Sequence, residues 1–318
     1  MSVEITNPLN VEQLKLGETV VFKGTATEDI VKVELVADER FQLGQVKAIN
    51  GRWSISYPFN RAGKRRIIAK GFDADNQQVA SDAIDIFLVG SRKYELGIDV
   101  SIFQGNDIDW QAVKNADISF AFVKATEGAT WVDDTFAINW QRMKKAGIIR
   151  GAYHFFRPLK TPQEQVDNFL TTVKNVLEPG DLPPVLDVEP FPDNVRAQWE
   201  ALNLNQRIDR VEQWLQLVER ETGSKPIIYT NPSFWHEFMD DTQVFTNYPL
   251  WIAHYTNAPQ PFVPARNWGG NGYTIWQYTQ TGTVPGVSGN VDRNRFNGSF
   301  EKLVALANVT SASDSLAA

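Results

Sequence analysis

The chain has 318 residues, which predicts about two domains at roughly 100–200 residues per domain. It contains no cysteine and three histidines. A disulfide framework, a thiol nucleophile and a cysteine-ligated metal site are therefore excluded, and a histidine-rich metal site is disfavoured. The net charge of −7 argues against a nucleic-acid partner.

The composition favours a folded protein with a sugar-binding cleft. No apolar run is long enough to span a membrane, and the N-terminus lacks the basic segment and apolar stretch of a secretory signal. The 10 tryptophans, 8 tyrosines and 19 phenylalanines exceed what core packing usually needs. Flat apolar rings with polar edges are the side chains that such a cleft would use.

The first 90 residues alternate apolar and polar side chains with a period of two. Residues 53–59 show this alternation, as do Val31, Val33 and Leu35, and turn signals such as Asn50-Gly51 separate the apolar stretches. Several short strands at this spacing predict an all-β sandwich over residues 1–90. The phrase Asn50-Gly51-Arg52-Trp53-Ser54-Ile55 is similar to bacterial immunoglobulin-like domains, so an immunoglobulin-like sandwich is expected.

From Tyr94 onward, predicted strands alternate with predicted helices. The strands are expected at residues 95–101, 119–125, 150–156, 184–189, 226–229, 250–255 and 273–278. The helices are expected at residues 109–116, 134–146 and 162–176, and around the apolar stripe formed by Ile208, Val211, Leu215 and Val218. This alternation predicts a mainly parallel sheet closed, or nearly closed, into a TIM-like β/α barrel. The barrel should be irregular, because helices become sparse after the sixth strand.

The predicted organisation is therefore multidomain. An immunoglobulin-like domain covers residues 1–90, an α/β barrel covers residues 91–305, and a flexible tail covers residues 306–318. The boundary falls near Gly90-Ser91-Arg92-Lys93.

Two carboxylates stand at the end of the short predicted strand 184–189. Side chains two residues apart share a face of a strand, so Asp187 and Glu189 point the same way. In a barrel that face is the interior, and the C-terminal ends of barrel strands carry the chemistry of barrel enzymes. The alternative is a strand end with one carboxylate solvated and the other capping a loop.

Two further carboxylates follow a similar pattern. Asp99 lies between the apolar Ile98 and Val100 on the first barrel strand, and Asp292 follows an apolar residue after a glycine-rich turn. Four carboxylates in one pocket cannot all ionise freely, so at least one pKa should be raised. A carboxyl that stays protonated near neutral pH can act as a general acid. Paired carboxylates with aromatic side chains nearby are typical of glycoside hydrolysis.

Lys124 lies in an otherwise apolar strand and needs an anionic partner, which the carboxylate cluster would supply. We expect it to line the same pocket. Aromatic residues are the other candidates for substrate contact, with core packing as the alternative for each: Tyr153, Phe155, Tyr229, Trp251, Tyr255 and Trp276. His154 alternates away from Tyr153 and is expected to be a structural histidine.

Eight motifs in chain order connect the region to a known family. They are Gly97–Ser101, residues 122–128, Gly151-Ala152-Tyr153-His154-Phe155, Leu186-Asp187-Val188-Glu189, Pro226-Ile227-Ile228-Tyr229, Leu250-Trp251-Ile252-Ala253, Trp276-Gln277-Tyr278 and Val291-Asp292. Residues 94–300 thereby resemble glycoside hydrolase family 25, the Chalaropsis-type lysozymes. The family's Val-Asp-Leu/Ile-Asn ending is replaced here by Val291-Asp292-Arg293-Asn294, and Arg293 is expected to point away from the pocket.

The resemblance implies an N-acetylmuramidase that cleaves the β-1,4 bond between N-acetylmuramic acid and N-acetylglucosamine in bacterial peptidoglycan. It implies that Glu189 is the general acid and that Asp99, Asp187 and Asp292 have supporting acidic roles. The nucleophile stays open among Asp187, Asp292 and the substrate's own 2-acetamido group. No cofactor or metal is expected, because protein carboxylates supply both the acid and the anion.

Two alternative functions are considered. One is a hydrolase that binds a divalent metal with the same carboxylates. The other is a non-catalytic cell-wall-binding or structural component of a phage tail or phage-like injection particle, with the N-terminal domain docking to the larger assembly. The expected place of action is the bacterial cell wall. Because the sequence carries no signal peptide, export is expected by lysis, a holin, an injection particle or a leader that has been removed.

Overall fold

The computed structural model describes residues 1–16, 18–59, 63–89 and 94–307. The predicted domain boundary at residues 90–93 lies outside the described residues, and so do residues 308–318 of the predicted tail. Residues 306 and 307 belong to the last helix.

The described residues up to 89 contain strands and no helix, as the period-two pattern predicts. The strands are β1 (Val3–Asn7), β2 (Glu12–Lys15), β3 (Thr19–Ala26), β4 (Lys32–Ala37), β5 (Phe41–Lys47), β6 (Arg52–Pro58), β7 (Gly63–Phe72) and β8 (Gln78–Val89). One antiparallel sheet has the order β1-β3-β6, and the second has the order β2-β8-β7-β4-β5. Pairing in the second sheet is antiparallel except between β2 and β8.

The two sheets share one hydrophobic core. Phe22 and Trp53 from the first sheet belong to the same buried cluster as Leu35, Ile67 and Ile86 from the second. Alternate side chains of each strand reach this core, and burial of their apolar surface provides the main stabilisation. The immunoglobulin-like arrangement of these sheets stays a prediction.

The later part of the chain contains a closed, eight-stranded barrel-like sheet. Its strands are β9 (Glu95–Val100), β10 (Ile118–Glu127), β12 (Ile149–Phe155), β13 (Val185–Asp187), β14 (Ile227–Thr230), β15 (Leu250–Ala253), β16 (Ile275–Gly282) and β17 (Val291–Phe296). A two-residue strand, β11 (Trp131–Val132), pairs with the end of β10. The sheet closes because β9 pairs with both β10 and β17.

Pairing is parallel from β9 through β16, and β17 runs antiparallel to both of its neighbours. The predicted mainly parallel, irregular barrel is therefore confirmed at the level of its sheet, but β17 was not predicted as a strand. Its polar sequence lacks the apolar alternation that predicts a strand. Asp292 and Asn294 lie opposite Asp99 and Gly97 of β9. Arg293 and Arg295 alternate with them and stack over Tyr278.

Eight helices are described in the same part of the chain. They are α1 (Trp110–Asn115), α2 (Phe136–Ala146), α3 (Pro162–Val173), α4 (Asp193–Glu200), α5 (Leu204–Thr222), α6 (Pro232–Met239), α7 (Pro264–Gly269) and α8 (Phe300–Ala307). The sequence pattern predicted α1, α2, α3 and α5. The other four are 6 to 8 residues long, and two turns are too few to show a helical stripe.

Aromatic rings over glycines fill part of the barrel interior. Phe120 of β10 lies against Gly97 of β9, and Phe122 lies against Gly151 of β12, where an added Cβ would stand 2.3 Å from the ring in each case. Phe122 also stacks on Trp251, with ring centroids 4.5 Å apart. Side chains two residues further along β10 share this inner face, so the chain brings Lys124 above the packed rings.

Candidate active site

A cavity of about 740 Å³ opens at the C-terminal ends of the parallel strands. The residues that line it come from the seven parallel strands of the barrel, from β17 and from the loops that follow β9, β12 and β13. They are Asp99, Val100, Ser101, Phe103, Gln104, Lys124, Glu127, Tyr153, Phe155, Arg157, Asp187, Glu189, Phe191, Pro192, Asp193, Tyr229, Trp251, Gln277 and Asp292.

All four carboxylates predicted from the sequence line this cavity. Asp99 is near the end of β9, and Asp292 of β17 is its direct partner in the sheet. Asp187 is the last residue of β13, and Glu189 follows two residues later, beyond the strand. The barrel thus brings together four acidic side chains that are up to 193 positions apart in the sequence, between Asp99 and Asp292.

Amide groups hold Asp99 in place. Gln277 Nε2 and Asn294 Nδ2 both donate to Asp99 Oδ2, at 2.9 Å and 2.8 Å. Asn294 Oδ1 in turn accepts from the indole nitrogen of Trp251 at 2.8 Å. Burial raises the pKa of Asp99, and the hydrogen bonds from Asn294, Gln277 and Asp292 act against this shift.

Asp292 and Asp99 share a hydrogen bond between their carboxyl groups. Burial, the charge of Asp99 and this hydrogen bond raise the pKa of Asp292 to about 9, with a further contribution from Glu189. A second negative charge beside the first is disfavoured, which favours retention of one proton by the pair at neutral pH.

Asp187 and Glu189 form a second pair of neighbouring carboxyls. Burial, followed by the charge of Glu189, raises the pKa of Asp187 well above its usual range. Burial raises the pKa of Glu189 to about 7, with Lys124 opposing the shift and Asp99 reinforcing it. Asp187 Oδ1 is buried and has no hydrogen-bond partner among the described residues. Glu189 can therefore present a protonated carboxyl near neutral pH, and Asp187 Oδ1 is an acceptor that no described protein group satisfies.

Lys124 lines the cavity as predicted, but its direct ion-pair partner is a residue that sequence reasoning did not select. Lys124 Nζ lies 2.6 Å from Glu127 Oε2, and Arg157 Nε donates to Glu127 Oε1 at 2.8 Å. Burial acts to raise the pKa of Glu127, but the hydrogen bonds and charges of Lys124 and then Arg157 outweigh burial and lower this pKa. The expectation that the four carboxylates supply the partner of Lys124 was therefore wrong. Lys124 acts on Asp187 and Glu189 only through its charge, which lowers both pKa values.

Four of the predicted aromatic residues line the cavity: Tyr153, Phe155, Tyr229 and Trp251. The carboxylates also act on the phenols, because burial followed by charges that include Asp99 and Asp187 raises the pKa of Tyr153 well above its usual range. Lys124 Nζ lies 4.8 Å from the ring centre of Phe155, within range of a cation–π contact.

The two remaining aromatic candidates do not line the cavity. Tyr255 is half-exposed beside it and donates its hydroxyl to Gln277 Oε1 at 2.7 Å. Trp276 is buried and donates its indole N–H to His254 O. Trp276 and Tyr278 share a face of β16, but Gln277 between them faces the carboxylates, so Trp276 lies on the opposite face of the sheet.

Sequence reasoning missed two exposed rings that line the cavity. Phe103, in the loop after β9, is 90% exposed, and Phe191, in the loop after β13, is 60% exposed. Each follows a strand that carries a catalytic candidate at or next to its last residue, and loop aromatics at such positions were the available signal. Gln277 and Glu127 were also missed, because single polar residues in strands carry no distinctive pattern, and so was Arg157 in the loop after β12.

His154 is a structural histidine, as predicted. It is fully buried, and its two ring nitrogens bond to Thr126 Oγ1 at 2.7 Å and Gln165 Oε1 at 3.1 Å. Burial lowers its pKa to about 4, and the ring stacks on Trp214. It therefore stays neutral at physiological pH and takes no part in the cavity.

The described residues contain no group of three or more histidine, cysteine, aspartate or glutamate side chains arranged to hold a metal ion. Within the same residues, no helix combines the length and apolarity needed to cross a membrane.

Comparison with known proteins agrees with this geometry. Residues 98–287 match the family described as Glycosyl hydrolases family 25. The chain is 42% identical over 214 residues to YegX of Escherichia coli (strain K12), an alignment that covers 66% of this chain and 72% of that protein. It is 41% identical over 217 residues to Lysozyme M1 of Streptomyces globisporus, covering 67% and 71% of the two chains.

Among solved structures, the chain is similar to the bacterial lysozyme from Streptomyces coelicolor, with a TM-score of 0.64 and 39% identity. That alignment covers 70% of this chain and 100% of the other. The matched segment spans more than half of the chain and contains the strands and loops that supply Asp99, Asp187 and Glu189. This protein belongs to glycosyl hydrolases family 25.

Proposed function

We propose that the protein is a muramidase that hydrolyses bacterial peptidoglycan at the β-1,4 bond between N-acetylmuramic acid and N-acetylglucosamine. The observation that carries the proposal is a single cavity in which a carboxyl with a pKa of about 7, that of Glu189, stands beside three other carboxyl groups. The names of relatives, among them Lysozyme M1 of Streptomyces globisporus, support the same substrate.

Glycoside hydrolysis needs a proton for the leaving oxygen and negative charge for the oxocarbenium-like transition state. In this proposal Glu189 donates the proton, because its raised pKa keeps a substantial protonated fraction at neutral pH. Asp99, Asp187 and Asp292 provide the acidic surroundings that stabilise the developing positive charge. The groups that compete for the nucleophilic role are Asp187, Asp292 and the substrate's 2-acetamido group.

The cavity's exposed rings and cations are the groups proposed to contact sugar. Phe103 and Phe191 offer flat apolar faces to pyranose rings, while Lys124 and Arg157 offer hydrogen-bond donors at the cavity wall. Family membership and the carboxylate-lined cavity favour an enzyme over a catalytically silent wall-binding component. Action at the bacterial cell wall follows from the substrate, and docking of residues 1–90 to a larger assembly stays a prediction.

The test is mass spectrometry of the products released from purified peptidoglycan. We expect new reducing ends on N-acetylmuramic acid. Reducing ends on N-acetylglucosamine would contradict the proposed bond, and release of peptides without new reducing ends would contradict glycoside hydrolysis. Product formation that is lost in EDTA and restored by a divalent cation would favour the metal-dependent alternative.

A further inference from the structure

Gln277 occupies a position in the cavity that no proposed chemical role explains. It is 2% exposed, and its carboxamide makes three hydrogen bonds to side chains of three other strands or strand ends. Tyr229 and Tyr255 donate their hydroxyls to Oε1 at 2.9 Å and 2.7 Å, and Nε2 donates to Asp99 Oδ2 at 2.9 Å.

These bonds determine which way the carboxamide faces. In the observed orientation both phenols donate to Oε1. The reverse orientation would let the amide donate to both phenol oxygens, but it would direct the amide oxygen at Asp99 Oδ2, which also accepts from Asn294. Burial, followed by the charge of Glu189, raises the pKa of Tyr229 well above its usual range, which keeps its donor proton in place. The amide nitrogen is then left to face Asp99, to which it can only donate.

Asn294 repeats the arrangement from the neighbouring strand. Trp251 Nε1 can only donate, so the atom of Asn294 that it contacts at 2.8 Å is the oxygen. Asn294 Nδ2 therefore also donates to Asp99 Oδ2, at 2.8 Å. One oxygen of Asp99 thus receives two N–H bonds, and a proton on that oxygen would oppose both donors.

Asp292 lacks such donors. Among the described residues, its carboxyl shares a hydrogen bond with Asp99, and no amide N–H is directed at it. Hydrogen bonds to a carboxylate stabilise its charged form, so the proton that the two carboxyls share is easier to remove from Asp99 than from Asp292.

We propose that Gln277 is a positioning residue which, together with Asn294, keeps Asp99 ionised and places the shared proton on Asp292. This inference rests on the proposed function only for its catalytic consequence. A neutral Asp292 is a hydrogen-bond donor rather than an anionic nucleophile. Asp292 then leaves the candidates for an anionic nucleophile. The pKa of Asp187 is raised as well, by burial and the charge of Glu189.

Other charged and titratable groups face Asp99 across the cavity and contribute to the balance. They are Asp292 of β17, Tyr153 of β12, Asp187 and Glu189 at the end of β13, Tyr229 of β14 and Tyr255 after β15. Lys124 of β10 contributes through its charge, which acts on Asp187 and Glu189. The carboxylates among them disfavour a second negative charge, which agrees with one proton being retained by the pair.

The direct test follows the two carboxyls by NMR in the full-length protein labelled with ¹³C at aspartate carboxyl carbons. Asp99→Asn and Asp292→Asn assign the two signals. In the wild type we expect Asp99 to be ionised at neutral pH and Asp292 to be protonated. In Gln277→Met we expect Asp99 to become harder to ionise and Asp292 easier, so that the two titrations shift in opposite directions.

Gln165→Met is the matched control, because Gln165 of α3 is also a buried glutamine with several hydrogen bonds, none of them to Asp99. It should lower stability without moving either titration. A purely structural role for Gln277 predicts that the two methionine variants behave alike, and that result would overturn the proposal. An ionised Asp292 in the wild type at neutral pH would overturn it as well.

Gln277→Glu provides a second test that does not depend on the methionine variant folding. A protonated glutamate carboxyl can accept from the phenols and donate to Asp99, but an ionised one cannot donate. We expect near wild-type kcat at acidic pH, and at alkaline pH a kcat about 10- to 100-fold below wild type, as loss of a hydrogen bond to a charged group predicts.

In the same comparison KM should change by less than about twofold, because Gln277 acts through Asp99 rather than by holding the sugar. Gln277→Met, which has no donor at any pH, should not recover in acid, and equal activity of the two variants across pH would overturn the proposal. The NMR titrations need no turnover. A protein that releases no N-acetylmuramic acid reducing ends would therefore refute the proposed function while the proton assignment is still tested.

Discussion

At the scale of single residues, the proton on Glu189 is the feature that most directly links the cavity to catalysis. Its pKa of about 7 results first from burial, which Lys124 opposes and Asp99 reinforces. Activity that requires the protonated form should fall as the pH rises through about 7. The alkaline limb of the pH profile of kcat/KM therefore reports on this residue.

We predict that Glu189→Gln lowers kcat by about 10²- to 10⁴-fold, because the amide keeps the shape of the side chain but cannot deliver a proton. The unfolding temperature should hold or rise slightly, since a crowded negative charge is removed. Steady-state clearing of purified cell walls measures the effect, with the exposed Glu200→Gln as the matched control. Near wild-type clearing by Glu189→Gln would contradict its role as the acid.

Lys124→Met tests the electrostatic role of the lysine. Removing its charge should raise the pKa values of Glu189 and Asp187, because Lys124 lowers both, so the alkaline limb should move to higher pH. Arg157 still pairs with Glu127, so the loss of stability should be smaller than the roughly 3–5 kcal/mol expected for breaking a buried pair. A pH profile identical to that of the surface control Lys174→Met would show that the charge is not felt in the cavity.

At the scale of secondary-structure elements, β9, β10 and β12 are joined by ring-over-glycine packing. Gly97 and Gly151 leave the space that Phe120 and Phe122 occupy, and Lys124 and Tyr153 follow on the same inner faces, where they line the cavity. The packed rings therefore fill the barrel below the cavity, and the cavity begins above them.

We predict that Gly151→Ala lowers the free energy of unfolding by about 1–3 kcal/mol, because the new Cβ would stand 2.3 Å from the Phe122 ring. Urea denaturation measures this loss. Phe122→Leu removes part of the ring, so the double variant should be more stable than the sum of the two single losses predicts. Strict additivity of the two substitutions would contradict direct packing between them.

At the scale of the whole molecule, buried carboxyls make the stability of the protein depend on pH. Glu189 and Asp292 have folded-state pKa values of about 7 and about 9, against ordinary values of 4.5 and 3.8. The folded state therefore binds more protons than the unfolded state between these limits. By linkage, stability is highest below the ordinary values and is lost as the pH rises through the folded-state values.

We predict that the unfolding temperature falls between about pH 4.5 and about pH 9, and that Asp292→Asn reduces this dependence, because the amide cannot be forced to ionise. Thermal melts followed by circular dichroism across this range measure the slope. Asp167→Asn, at an exposed position on α3, should leave the slope unchanged. An equal slope in the wild type and in Asp292→Asn would mean that Asp292 is ionised in the folded protein.

The first 90 residues carry none of the four carboxylates, so we predict that they are dispensable for chemistry. A chain of residues 92–318 should retain most of its specific activity on soluble peptidoglycan fragments, since domains with their own core generally fold alone. Activity on intact cells can fall, because an added module usually supplies delivery. A large loss on soluble fragments by a truncated protein that is folded by circular dichroism would show that residues 1–90 help to build the cleft.

The sequence by itself determined which chemistry is available and where along the chain it lies. Strand periodicity is local, so the inward direction of Asp99, Asp187 and Lys124 could be predicted from alternation with their apolar neighbours. The all-β start, the mainly parallel barrel, the three longest helices and the short α1 followed from the same local signals. The eight collinear motifs carry the resemblance to the family.

Tertiary structure alone decided the partners of these residues. Lys124 and Glu127 are only three positions apart on β10, but Arg157 reaches the same carboxylate from the loop after β12. Trp276 lies on the opposite side of β16 from Gln277, which the polar sequence of that strand does not reveal. Closure of the barrel by β17 places Asp292 opposite Asp99, and the proposed sharing of a proton depends on that pairing. Interactions between residues far apart in sequence depend on sheet closure, and no local pattern encodes them.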